Sequence, residues 1–446
     1  MRLRVLLPVF APPILALAGC ASPQGPAPVA EAPPPAAMAA ASPARAVVPP
    51  PPPPPVSIAP LTASGDMVFD AWAADFQTRA LAAGIAPNVL AREMAGLSPN
   101  PRVASLDTQQ PEFSKPVSEY IKGVISPQRI ATGQRKRAAT PALGAIESRF
   151  GVPSDILLGV WAMESAYGEL QGDFDIVRAF ATLAAQGRRR GFAETELIAA
   201  LKIIQSGEQP RSRLKGSWAG AMGQTQFIPS MYLSTAVDMD GDGRRDIWNS
   251  SADSLASAAN LLMRAGWVRG QSWAREVTAP PGFDFSLTEG PRETPRWWAE
   301  RGVARADGRG WSAADSTAQA QLIAPAGAGG PVFLLFPNHF ALRQYNNSLA
   351  YALGVGLLAD RLAGGPGLMR PWPQEIPLPL VDRMTAQRAL MALGFDTGGA
   401  DGVVGLKTRA ALRTWQKARG VTADGYLSTD MVRRLKAEAE RLSPTN

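Results

Sequence analysis

Histidine and cysteine are almost missing from this sequence, with one of each, His339 and Cys20, in 446 residues. A lone cysteine excludes a disulfide framework and any thiolate cluster for zinc. A lone histidine argues against His-dependent zinc hydrolases, Cys–His peptidases and Ser–His–Asp esterases, since each needs more ligands or bases than the chain holds. Most peptide-bond chemistry is thereby disfavoured, while carboxylate chemistry stays open. Charge of one sign is not abundant either. A formal net charge of +7 is modest for this length and decides little between nucleic acid, an anionic wall polymer and a membrane surface. The length allows two or three domains.

The apolar run at the start, Val5 to Leu17, is too short to span a membrane as a stable helix. Arg2 and Arg4 precede it and small residues follow, as in an export leader covering 1–19. Leu17-Ala18-Gly19-Cys20 resembles the lipobox of bacterial lipoproteins, in which the cysteine is lipidated and becomes the mature N-terminus. No Asp stands just after Cys20, so the resemblance implies an outer-membrane lipoprotein facing the periplasm. A plain secretory signal with an incidental cysteine is the alternative. Residues 20–63 then hold little besides Ala, Pro, Val and Ser, with seven consecutive prolines from Pro49 to Pro55. Such a stretch builds no core. As polyproline II, at about 3.1 Å per residue, it would reach at most on the order of 120 Å and serve as a tether.

From 64 to 365 the sequence is mixed, globular and mainly α. Phe69, Trp72, Phe76 and Ala80 recur at helical spacing before Gly84. Ser154-Asp155 is expected to cap a helix running through Ile156, Val160 and Glu164 to near Gly168. Glu194 to Ile204 and Asp253 to Ala265 read as two more helices. Strand patterns are few, and Val332 to Phe336 is the best of them.

Ile156, Val160 and Glu164 are four apart and share one helix face. A carboxyl on an apolar face is desolvated, which raises its pKa as a general acid near neutral pH requires. On the helix alone, a Glu that turns aside to solvent or pairs with an Arg is an equal reading. A second segment, Gly220-Ala-Met-Gly-Gln-Thr-Gln226, supplies small residues for close backbone approach, and in Gln224 and Gln226 neutral amides that do not ionise the acid.

Glu164-Ser-Ala-Tyr-Gly168 together with Lys215-Gly-Ser217-Trp-Ala-Gly-Ala-Met-Gly-Gln-Thr-Gln226-Phe-Ile-Pro-Ser230 resembles the membrane-bound lytic murein transglycosylase B family, over about residues 66 to 364. The resemblance implies a lysozyme-like catalytic domain that cleaves the β-1,4 bond between N-acetylmuramic acid and N-acetylglucosamine. It also implies site residues: Glu164 as the catalytic acid, Ser217 and Gln226 beside the cleavage subsites, and Arg188 and Arg189 on peptide or lactyl carboxylates. Tyr345 and Asn346 would lie near the muramyl sugar, and Tyr120 is a further candidate for lining the cleft. Phe192 departs from the pattern, where a Tyr is expected. Glycosidases usually employ two carboxylates. No second acid here is bound into a comparable motif, and Glu169, Asp173 and Asp175 read as loop residues. Glu164 is therefore expected to act as acid and then as base on the muramyl C6 hydroxyl, giving a 1,6-anhydro product without water.

Asp238-Met-Asp240-Gly-Asp242-Gly243-Arg-Arg-Asp246 follows the order of an EF-hand loop, with Asn249 where the bidentate Glu belongs. No cofactor is expected to be required, and a weak structural Ca²⁺ site on Asp238, Asp240, Asp242 and Asp246 is the expectation, with Asp253 as a compensating ligand. A solvated Asp-Gly turn is the other reading. Ser212-Arg-Leu-Lys215 spells a Ser-x-x-Lys but lacks the partner motifs of penicillin-binding enzymes. His339 reads as structural.

After a linker at 366–379, residues 380–442 carry Gln387, Leu390 and Leu393, then Asp401-Gly402-Val-Val-Gly405, a helix from Thr408 through Trp415, and Asp424-Gly425 before a third helix. This series resembles the three-helix peptidoglycan-binding domain type 1, with a generic helical bundle as the alternative and Trp415 as core. Such a module would raise the local substrate concentration. The expected partners are peptidoglycan and, through the lipid, a membrane, with no nucleic acid, for a monomer. A non-catalytic wall-binding lipoprotein and a hydrolytic muramidase are the competing functions. An acid on an apolar helix face favours an enzyme, and only the product separates lyase from hydrolase.

Overall fold

The structure is a computed structural model that describes residues 63–108 and 115–442. The leader, Cys20 and tether residues 20–62 lie outside the described residues. No helix among those described is long and apolar enough to cross a membrane.

The first helix shows how the chain enters its fold. Asp66 accepts the Val68 and Phe69 amides and starts Met67–Ala82. Phe69, Trp72, Phe76 and Ala80 form its buried face, and Arg79 lies in the last turn, where its charge suits the helix dipole. The helices Pro87–Met94, Ile176–Ala185, Arg190–Gln205 and Pro229–Thr235 join it around one apolar core. A second core gathers Val117–Val124, Leu143–Phe150, Ser154–Ser165, Ser251–Arg264 and Leu349–Leu362. Tyr345 packs against both cores, so the seam between them passes beside it.

Within the second core, Ser154–Ser165 and Leu349–Leu362 touch backbone to backbone. A Cβ at Gly159 would lie 2.9 Å from the Val355 carbonyl oxygen, closer than side chains tolerate. The start of Ser154–Ser165 differs from expectation. Pro153 occupies the cap position with no side-chain bond. Ser154 is already helical, and its amide and hydroxyl both donate to Glu147, at 2.9 and 2.7 Å. The helix Arg190–Gln205 begins four residues earlier than its apolar pattern does.

Strands are few. A two-residue ribbon pairs β1 (Phe174–Asp175) antiparallel with β2 (Lys215–Gly216). A five-stranded antiparallel sheet follows, built from β3 (Ala274–Thr278), β4 (Arg292–Glu293), β5 (Ala304–Arg305), β6 (Ala320–Ile323) and β7 (Val332–Leu335), in the order β4-β6-β7-β3-β5. All four residues of the central β7 are buried, which explains why it reads as a continuous apolar run.

Leu380–Ala392, Leu406–Ala418 and Thr429–Leu442 form the C-terminal module around its own core, with Trp415 2% exposed. Its second helix starts at Leu406 behind Gly405, two residues before the expected Thr408. The buried Thr408 hydroxyl instead accepts from Gln387. The module is fastened to the sheet. Arg409 and Arg413 both bind Glu289, Lys417 binds Asp284, and Asp424 accepts the Ala328 amide. In the connecting segment Trp372 packs on Phe333, and Glu375 accepts from Ser118 N and the Tyr426 hydroxyl.

Candidate active site

Glu164 sits on the face it shares with Ile156 and Val160, and all three are buried. Its helix ends one residue later. Ala166 and Tyr167 then take left-handed backbone angles, φ 50° and 63°, in a region costly for residues with side chains. Two anchors hold that turn. The Ser165 hydroxyl donates to the Gln224 carbonyl and accepts the Gly168 amide, and the Tyr167 hydroxyl donates to the Arg129 carbonyl at 2.9 Å.

The Ser165–Gln224 bond ties the second sequence motif to the end of the acid helix. That motif is a compact loop. Ser217 Oγ accepts the Ala221 amide at 3.1 Å, and Met222 and Phe227 exchange backbone bonds of 2.8 and 2.9 Å. Gly220 lies against the Phe180 ring with φ 93°, so a Cβ there would overlap the ring. Neither the Gln224 nor the Gln226 amide is hydrogen-bonded to Glu164. Gln224 donates to the Trp248 carbonyl, and Gln226 donates to the carbonyls of Gln171 and Gly223. They brace the loop, leaving Ser217 and Gln226 half-buried along it.

Tyrosines surround the acid. The Tyr351 hydroxyl donates to Glu164 Oε1 at 2.5 Å. Tyr345 stacks on Tyr351 with ring centres 6.4 Å apart and donates to the Thr225 carbonyl at 2.6 Å. The Tyr120 ring lies against Gly354 on the Tyr351 helix, close enough to Glu164 to feel its charge. Burial pushes the Glu164 carboxyl up to about 8, against the opposing hydrogen bond from Tyr351. Burial and the neighbouring carboxyl hold Tyr345 and Tyr351 well above the usual phenol range, so both stay donors. Among the described residues no second carboxylate bears on Glu164. Asp175, read from sequence as a loop acid, lies in β1, caps the helix after it and pairs with Arg211. Glu196 is buried too, but its two oxygens accept the Ser230 amide and hydroxyl.

Asn346 completes this side. It is 6% exposed, and its Oδ1 is buried with no hydrogen-bond partner, an acceptor held ready beside Tyr345. Tyr351 carries no motif in the sequence and was missed there. Its position six residues after Tyr345, on a helix pressed to the acid helix, is the only signal.

Arg188 and Arg189 are brought together by Asp107, on the helix Pro101–Thr108, which binds both. Burial works to raise the Asp107 carboxyl, but the two arginines outweigh it and hold it low. Arg189 also lies over Trp218, next to Ser217.

Of the EF-hand-like residues, Asp238 and Asp240 come together with Asp253, their oxygens within 4.8 Å of one another. Asp242 and Asp246 do not join them. Asp242 accepts the Arg244 amide, and Asp246 accepts the amides of Trp248 and Asn249. Three carboxylates offering hard oxygen donors fit a Ca²⁺-like ion. His339 is fully buried beside Trp273 and Phe340, with no hydrogen-bond partner on either ring nitrogen.

Residues 68–360 match the family model described as the transglycosylase SLT domain, and residues 381–435 match one for a peptidoglycan binding domain. Membrane-bound lytic murein transglycosylase B of Escherichia coli (strain K12) is 30% identical over 276 residues, 58% of this chain and 73% of that protein. SltB3 from Pseudomonas aeruginosa, in complex with NAG-anhNAM-pentapeptide, is 45% identical with a TM-score of 0.80, covering 83% of this chain and 100% of that one. The Escherichia coli transglycosylase Slt35 in complex with calcium is 26% identical with a TM-score of 0.55, over 66% and 92% of the two chains.

Proposed function

The chain belongs to the transglycosylase SLT domain family and is a lytic transglycosylase, and from that premise we propose that Glu164 alone makes both proton transfers of the reaction. The bond cut is the β-1,4 link between N-acetylmuramic acid and N-acetylglucosamine.

A carboxyl raised to about 8 is neutral at working pH. Tyr351 donates to Oε1, which leaves the proton on Oε2, free for the glycosidic oxygen. As that oxygen takes the proton, the C1–O bond breaks and N-acetylglucosamine leaves with a free 4-hydroxyl. The muramyl acetamido oxygen closes on C1 and holds the positive charge. Glu164, now anionic and steadied by Tyr351, takes the proton of the C6 hydroxyl. O6 then displaces the acetamido oxygen from C1, forming the 1,6-anhydro ring. The acid ends protonated as it began, and no water is consumed.

The observation that carries this reading is the buried acid bonded to one phenol with no companion carboxylate among the described residues. Ser217, Gln226 and Tyr120 line the approach, Tyr345 and Asn346 receive the muramyl sugar, and the free Asn346 Oδ1 accepts one of its N–H or O–H groups. Arg189, which shares Asp107 with Arg188, contributes positive charge beside Trp218. The relative with a bound calcium supports a structural Ca²⁺ site on Asp238, Asp240 and Asp253 here. The membrane-bound relative supports anchoring through lipidated Cys20 at the outer membrane, which a mass spectrum of the mature N-terminus decides. The mechanism is tested on purified sacculi. Anhydromuramyl ends are expected from the parent and no turnover from Glu164→Gln, whereas reducing muramic acid ends or an active variant would overturn it.

A further inference from the structure

A cavity of about 540 Å³, not lined by Glu164, opens beside the β1–β2 ribbon. Its walls set four cations, Arg102, Arg178, Arg211 and Lys215, against two carboxylates, Asp173 and Asp175. The charges do not cancel. Arg211 is neutralised by Asp175 at 2.9 Å, and the exposed Arg102 meets Asp173 only at 3.8 Å. Arg178 is fixed by neutral acceptors, the carbonyls of Ser98 and Pro99 and the Ser98 hydroxyl, which take up its Nε and Nη2 donors and leave its charge standing. Lys215 has no carboxylate within 4 Å among the described residues. The cavity thus holds a pre-set positive field and little apolar wall, which disfavours a greasy ligand and favours an anion.

Its location says which anion. Lys215 lies opposite Asp175 in the ribbon and two residues before Ser217, and Gly172, next to Asp173 of the cavity wall, packs against the Gly216 carbonyl and the Ser217 amide. The cavity therefore lies beside the start of the Ser217 loop. The glycan itself carries no charge once its lactyl group is joined to peptide, whereas that peptide bears free carboxylates. We propose that this cavity binds the carboxylates of the peptide hanging from the muramyl sugar. The proposal rests on the function assigned above, and it places peptide recognition on Arg178, Lys215 and Arg102, beyond the Arg188–Arg189 pair that Asp107 already occupies.

The test compares peptide-bearing glycan strands with strands stripped by an amidase, using the parent and Lys215→Ala/Arg102→Ala, which spares the structural Arg178. On peptide-bearing strands the variant is expected to lose about tenfold or more in kcat/KM, mostly through KM, as for loss of charge-assisted bonds. On stripped strands it should match the parent. Equal losses on both substrates, or none on either, would overturn the proposal. Binding of the free stem peptide to the full chain carrying Glu164→Gln, followed by calorimetry, gives a reading independent of turnover. Salt-sensitive binding that the double substitution removes supports the cavity, and absence of binding counts against it. A parent that cleaves neither substrate refutes the transglycosylase mechanism instead, while the peptide titration still decides the cavity.

Discussion

Two opposed influences set the acidity of Glu164: burial, which disfavours its anion, and the Tyr351 hydroxyl, which favours it. Activity that needs the neutral acid should fall as pH rises through about 8. Tyr351→Phe removes the opposing bond, so this limb should move to higher pH. The rate should also fall by about ten- to a hundredfold, because the anion formed on proton donation loses a charged hydrogen bond. A pH–rate profile of the variant checks both, and an unmoved limb would detach Tyr351 from the acid. Burial of the acid also costs stability. Below the ordinary carboxyl pKa both folded and unfolded states are protonated and the cost is nil. It grows with pH up to about 8, at roughly 1.4 kcal/mol per unit. His339 behaves in the opposite sense. Burial and the nearby Arg343 and Arg292 push it down to about 3, so its contribution is intact above about 6.5 and is lost as pH falls towards 3. His339→Leu should flatten the fall in urea midpoint between those pH values, and an unchanged slope would remove His339 as the cause.

At the scale of the element, the Asp238–Asn249 loop and the helix Ser251–Arg264 form one unit, because Asp253 accepts the Met239 and Asp246 amides from inside the helix's first turn. An ion on Asp238, Asp240 and Asp253 would tie loop to helix. Added Ca²⁺ is expected to raise the melting temperature of the parent, and the exposed substitution Asp240→Asn should shrink that rise. A melting curve indifferent to calcium would oppose the site. The sequence carried the loop's acids in order and offered Asp253, outside the twelve-residue frame, as a compensating ligand. It did not show that the turn of the backbone would group Asp253 with Asp238 and Asp240 while leaving Asp242 and Asp246 out. Helix faces were more legible. Phe69, Trp72, Phe76 and Ala80 are all buried as their spacing requires, and so are Ile156, Val160 and Glu164. Ser154 misled because its side chain serves Glu147 of the preceding helix, a partner that local rules for capping do not see.

Across the whole molecule, what the sequence concealed is long-range pairing of charge and ring. Asp107 joins Arg188 from 81 positions upstream, and Tyr351 reaches Glu164 across 187. The grip of Arg409 and Arg413 on Glu289 is of the same kind, since nothing near Glu289 marks it as the anchor of a separate module. That anchor has measurable weight. Arg413 and Glu289 are each about 10% exposed, and removing Glu289, which both arginines share, strands their charges. Glu289→Ala should cost about 3 kcal/mol in urea unfolding. It should also open the 366–379 segment to limited proteolysis that spares the parent. A parent cut there equally fast would mean that the module moves freely in solution.

Gly159 has no chemistry, yet it decides how near the helix of Tyr351 comes to the helix of Glu164. A methyl group there would wedge the two backbones apart and loosen the phenol's hold on the acid, leaving burial to act almost alone. The acidity at which this enzyme stops working is therefore a mechanical setting. It is adjusted by the spacing of two rods, at a position that no survey of reactive groups would select.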